Sequence, residues 1–239
     1  MDDERPPAES PRRSRFSLAY ERFLRRVPRQ SRSVAAVDAI LTAMLDRLQT
    51  DAGAAEDTPV QEVAARAGVG IASLYDYFAD RTNLLAAAAT KDAEDHLDAF
   101  HALLETTENL PVERAVEAIV DYTLDTYARR PARHRVMMRL AASLGLLPTL
   151  AASQRAFAAS LASALRRRTD VTIADPDLAG WVLTQSMMGM VMAAIWEESP
   201  PDRAAIRRTA TAMFLAFLTP TAEIRADGDG EADRGTNSQ

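Results

Sequence analysis

Residues Thr58 to Leu85, TPVQEVAARAGVGIASLYDYFADRTNLL, constrain this chain more than any other stretch. Thr58 suits a helix N-cap, Pro59 the first helical position, and Gln61 can close a capping box. Val60, Val63, Ala64 and Ala67 share the inner face of that helix. Gly68 supplies the positive φ favoured just past a helix end, and Val69 plugs the turn. A second short helix, about Ile71 to Phe78, turns Leu74 and Phe78 inward at i, i+4. Asp80 is placed to cap a long helix from Arg81 to about Glu108. A small residue at Ala64 lets the two short helices cross closely. The pattern reads as a helix-turn-helix.

In such a unit the start of the second helix meets base edges in the major groove of double-stranded DNA. Here those residues are Gly70, Ile71, Ala72 and Ser73. Ile71 and Ala72 suit thymine methyls, and Ser73 suits a base edge or a phosphate. No arginine or asparagine is present there for bidentate readout. Tyr75 and Tyr77 are expected to donate hydroxyls to phosphates, with Arg81 pairing another at the next helix start. Thr58 and Arg32 complete the expected DNA-binding set. The bland alternative is that the tyrosines, like Phe78, are only core.

Charge distribution fits this reading better than the sum does. Net charge is −6 over 239 residues, which alone argues against a polyanionic partner. Residues 10–34 hold eight arginines against one acid, or +7, leaving −13 for the rest. A basic arm precedes an acidic body. Arg25, Arg26, Arg29 and Arg32 are expected to add phosphate or minor-groove contacts.

The stretch from AILTAMLDRL through TPVQEVAARAGVGIASLYDYFADRTNLL, within residues 32 to about 85, resembles the DNA-binding domain of the TetR family of bacterial transcriptional regulators. The Gly-Val turn, the Leu-Tyr-x-Tyr-Phe segment and the basic residue three beyond Phe78 carry the likeness. Two departures are visible. Gly70 stands where serine or threonine often caps the recognition helix, and Arg81 where lysine is common. The resemblance implies an all-helical C-terminal domain that binds a small molecule and dimerises through its last two long helices.

The expected fold is all-α. A disordered basic arm (1–28) precedes a helix-turn-helix domain (29–90), a ligand-binding and dimerisation domain (91–219) and a disordered tail (220–239). Proline and glycine punctuation places helices at about 111–129, 134–144, 149–168 and 176–198, and a last one that follows Ser199 and ends before Pro220. Asp175-Pro176 provides the cap for the first of the last two, and Ser199-Pro200-Pro201-Asp202 offers a capping box for the second. Ser186, Gly189 and Ala193 form a small-residue stripe, and Ile206, Ala210, Met213 and Phe217 a second stripe on the last helix. Both are expected at a homodimer interface, or alternatively in the intrachain core. Phe100, Tyr122, Tyr127, Met137, Met138, Trp181, Met187 and Met188 are the expected lining for an apolar or amphipathic effector, since methionine and aromatic side chains suit adaptable pockets as well as cores.

Several classes are disfavoured. No cysteine is present, so disulfides and thiolate metal sites are excluded. His96 and His101 lie near Asp92, Asp95 and Asp98, but their five-residue spacing separates them around a helix, and no metal is expected. No phosphate loop, nucleophile elbow or paired-acid signature appears, so neither catalytic residues nor a cofactor is expected. The longest apolar run, Met187 to Trp196, is too short to cross a bilayer. The expectation is a cytoplasmic, dimeric DNA-binding regulator on a palindromic operator, a repressor released by a small molecule. The rivals are a helical interaction protein and an enzyme using the C-terminal domain, each retaining the motif as scaffold.

Overall fold

The computed structural model describes residues 20–50, 59–197 and 199–219. Among them the protein is all-helical, as expected. A 3-10 turn, Tyr20–Phe23, precedes α1 (Ser31–Thr50), α2 (Val60–Arg66), α3 (Ile71–Tyr77), α4 (Arg81–Thr107), α5 (Val112–Ala128), α6 (Pro131–Ala141), α7 (Leu147–Arg167), α8 (Pro176–Trp196) and α9 (Arg203–Leu218). The helices form two compact units. One contains residues up to Phe100 together with Arg129–Ala156, and the other His101–Ala128 and Phe157 onward. That division differs from the expected single cut at residue 90, because α6 and the start of α7 pack with the N-terminal helices.

Local caps explain several boundaries. Asp80 accepts from the backbone N–H of Asn83 at 2.8 Å and so caps α4. Asp175 accepts from the N–H groups of Asp177 and Leu178, with Pro176 in the first turn of α8. At α9 the expected Ser199–Asp202 capping box gives way to Asp202 as the cap itself, accepting from the N–H of Ala205. At α2 the expected frame shifts by one residue: Pro59 is itself the cap, with extended ψ and no side-chain cap bond. Thr58 lies outside the described residues. Helix α6 starts at Pro131 rather than near His134, and α7 takes Pro148 into its first turn. Proline is tolerated there because first-turn N–H groups have no intrahelical acceptor.

In the first unit, Val37, Ile40, Leu41 and Met44 of α1 pack with Val63 of α2, Leu74 of α3, Phe78, Leu84 of α4 and Val136 of α6. The segment expected to be a disordered arm is ordered from Tyr20. Tyr20, Phe23 and Leu24 pack against this core, and Pro28 is buried. Arg22 lies over the Phe23 ring, 4.7 Å from its centroid.

At the other end of this unit, α4 and α6 meet through polar groups. Arg133, 2% exposed, is ion-paired with Asp92. The His96 and His134 rings stack with centroids 5.9 Å apart. Burial pushes the His134 imidazole down to about 4 and also lowers that of His96. Both rings are therefore neutral at pH 7.

In the second unit, α5 packs on α8 and α9. Arg203 pairs with Asp125 and Arg207 with Asp121, tying α9 to α5. Asp170 accepts from the N–H of Val112 at 2.9 Å, and its bond from Arg168 holds its carboxyl below the usual range. Helix α8 passes so close to α7 that a Cβ on Gly180 would lie 2.5 Å from the Ala158 carbonyl oxygen. By length and composition α8 is apolar enough to cross a bilayer, which corrects the expectation drawn from Met187–Trp196 alone. Thr184, Gln185 and Ser186 interrupt the apolar run without offsetting its hydropathy.

Two predictions follow from this packing. Gly180→Ala gains helix propensity yet forces α7 and α8 apart, so the melting temperature should fall, by an overpacking cost of about 1–3 kcal/mol; an unchanged melting curve would show that the crossing is loose. For His134, the unfolded chain takes up a proton near pH 6.5, while the folded state resists until about 4. Its contribution to stability should hold above pH 6.5 and be lost as pH falls toward 4, by roughly 3 kcal/mol. Denaturant midpoints across that window, compared with His134→Gln, should show a flatter slope in the variant.

Candidate nucleic-acid interface

Helix α3 is held by the turn before it. Gly68, with φ of +67°, follows the end of α2. Its N–H donates to Ala65 at 3.1 Å, and the Val69 N–H donates to Ala64 at 3.0 Å. These crossed bonds satisfy the last carbonyls of α2 and reverse the chain. Leu74 (1% exposed) and Phe78 (0% exposed) then anchor the far side of α3.

The opposite side of α3 is open. Gly70, Ile71, Ala72, Ser73, Tyr75 and Asp76 are exposed. Gly70 caps α3 with extended backbone and no side-chain bond. Tyr77 is half-buried against the core, whereas Tyr75 is 40% exposed. Arg81 is half-buried at the first position of α4, and Arg32 is exposed in the first turn of α1. The expected DNA-binding residues other than Thr58 thus all lie on or beside the helix-turn-helix. Tyr77 shares its ring with the core.

A further contact was missed from the sequence. The Arg25 N–H donates to the Tyr77 carbonyl at 2.8 Å, and its guanidinium reaches the Tyr75 carbonyl at 3.4 Å. The arginine segment is therefore docked against the C-terminal end of α3. Arg25, Arg26 and Arg29 are exposed there. Tyr20, Phe23 and Leu24, spaced i, i+3, i+4 amid the arginines, were the signal available for it.

The expected effector-lining residues come from both compact units. Phe100, Met137 and Met138 belong to the first compact unit; Tyr122, Tyr127, Trp181, Met187 and Met188 belong to the second. Phe100 and Met187 are buried, Met138 and Trp181 are exposed, and the remainder are half-buried. Burial raises the Tyr122 hydroxyl pKa. Of the interface residues, Ser186 and Ile206 are half-buried and Ala210 is core within the single chain. Gly189, Ala193, Met213 and Phe217 are exposed. Leu178, Trp181 and Trp196 lie on the same outer side of α8 as Gly189 and Ala193, and all three are more than 45% exposed.

Two family models match the chain. "Bacterial regulatory proteins, tetR family" covers residues 52–88, and "Tetracyclin repressor-like, C-terminal domain" covers residues 111–218. No curated protein matches the sequence. Among solved structures, a protein of Mesorhizobium loti described as a TetR-family transcriptional regulator is 17% identical, with a TM-score of 0.65 over 80% of this chain and 100% of its own. A Rhodococcus regulator of the same description is 19% identical, with a TM-score of 0.60 over 78% and 100%. The SmeT–triclosan complex is 21% identical, with a TM-score of 0.53 over 81% and 94%. These likenesses concern the fold.

Gly68 offers a direct check on the turn. A Cβ there would meet nothing within 4 Å, so Gly68→Ala isolates the cost of the left-handed backbone. It should destabilise the protein by about 1 kcal/mol in chemical denaturation. A neutral substitution would mean the turn adopts another conformation.

Proposed function

This chain belongs to the TetR family of bacterial transcriptional regulators, and from that premise we propose that it is a cytoplasmic homodimeric repressor, released from a palindromic operator by a small apolar or amphipathic molecule. The observation that carries the DNA-binding part is the exposed face of α3 flanked by the docked arginine segment. The start of α3 enters the major groove. Tyr75, Tyr77 and Arg81 hold phosphates, as do Arg25, Arg26, Arg29 and Arg32. Ile71 and Ala72 give sparse base readout, so phosphate placement and DNA shape supply much of the selectivity.

The outer side of α8 supports dimerisation. Only 33% of its apolar stretch is buried within one chain, and Leu178, Trp181 and Trp196 remain exposed with Met213 and Phe217 of α9. Gly189 has open space around its Cα, unlike Gly180 on the packed side. A second copy would cover this face in a two-fold four-helix contact. Ligand release follows if an effector favours a state in which the recognition helices no longer match sites about 34–36 Å apart. Helix α4 starts at Arg81, directly after the recognition unit, and runs unbroken to Thr107. Coupling of about 1–3 kcal/mol through such an element shifts operator occupancy severalfold or more. The triclosan bound by SmeT gives a probe of the right polarity.

The test is fluorescence anisotropy on duplexes from the protein's own upstream region. Specific affinity should exceed that for random duplex at matched salt, and equal affinities would reject the regulator reading. Replacing Arg26 and Arg29 with alanine should flatten the log–log salt slope by about 2. In sedimentation, Ala193→Arg should convert a dimer to a folded monomer; a wild-type monomer would reject the interface.

A further inference from the structure

We propose that Asp92, His96 and His134 form a binding site for one divalent transition-metal ion between α4 and α6. Asp92 and His96 are one helical turn apart on α4, so both side chains lie on one face. His134 joins them from α6. The three donor atoms lie within 4.8 Å of one another, with Asp92 Oδ2 3.8 Å from His96 Nδ1. A tetrahedral ion with nitrogen and oxygen ligands at about 2.0–2.2 Å spaces its donors by roughly 3.3–3.5 Å. Closing the site is thus a matter of side-chain rotation by about an ångström.

The surroundings prepare the donors. His134 Nδ1 lies 2.9 Å from the Arg130 carbonyl oxygen, to which it donates; that tautomer leaves Nε2 with its lone pair available. Arg133 holds Asp92 through Oδ1, while Oδ2 faces His96. His96 has 26% of its side chain exposed, which gives an entry route.

Arg133 opposes the ion electrostatically. Arg130 adds to it, while Asp46 and Asp95 act the other way. Arg133 Nε and Nη1 are buried without an acceptor among the described residues. They are available to an anionic co-ligand, which would balance the charge at the fourth coordination position. Two imidazoles and a carboxylate suit Zn²⁺, Co²⁺ or Ni²⁺ better than the all-oxygen preference of Mg²⁺ or Ca²⁺. The five-residue spacing of His96 and His101 on its own predicts no metal. The structure pairs His101 with Glu105 in the other compact unit, and supplies His134 instead.

The chain has three histidines, so three variants cover them all. Untagged, chelator-treated full-length protein is titrated with Zn²⁺ by calorimetry, and with Co²⁺ by visible absorption. The wild type should bind one ion. His96→Gln and His134→Gln should each weaken binding about tenfold or more, and His101→Gln should leave it unchanged. Because His96 is less buried than His134, its variant decides the matter alone if His134→Gln does not fold, with the metal-free melting temperature confirming its fold. No saturable binding by the wild type, or a smaller loss in folded His96→Gln, overturns the proposal.

Discussion

The left-handed backbone at Gly68 is the constraint on which the DNA-facing geometry depends. Its φ of +67° lets the Gly68 and Val69 N–H groups close back onto Ala65 and Ala64. With the last carbonyls of α2 satisfied, the chain reverses in two residues, and Leu74 and Phe78 reach the core. Burying them on one side leaves Ile71, Ala72, Ser73 and Tyr75 exposed on the other. A residue with a Cβ is strained in that backbone, although space for it exists. The arginine segment depends on the same arrangement, since its bonds go to the carbonyls of Tyr75 and Tyr77 at the end of α3.

Helix α8 carries two opposite demands along its length. On its inner side Gly180 admits the backbone of α7, and Leu183, Met187, Val191 and Ile195 are buried. On its outer side Leu178, Trp181 and Trp196 stay in solvent. A helix apolar nearly all round needs burial on more than one side, and one chain covers only part of it. That imbalance is the physical basis for reading its outer side as an interface between copies.

Features governed by local rules were legible in the sequence. The αL glycine, the caps at Asp80 and Asp175, and the inward pair Leu74 and Phe78 each follow from a few neighbouring residues. Features decided by tertiary contact were not. Tyr20, Phe23 and Leu24 gain their order only by meeting the core, so an arginine-rich context hid them. Asp92 and His134 belong to different helices, and no spacing along the chain relates them. Pro148 reads as a breaker, yet it falls where a first turn needs no donor. Ala210 followed the periodicity of an interface stripe but faces the chain's own core.

Footprinting on the upstream region tests the central claim most directly, because it reads contact geometry as well as affinity. Dimethyl sulfate cleavage, which reads guanine N7 in the major groove, should show two protected patches centred about 10–10.5 base pairs apart or a multiple of that, related by a dyad. Replacing Tyr75 and Arg81 should erase both patches together. Uniform cleavage at concentrations that saturate binding, or protection unchanged in that variant, would contradict the placement of α3 in the groove.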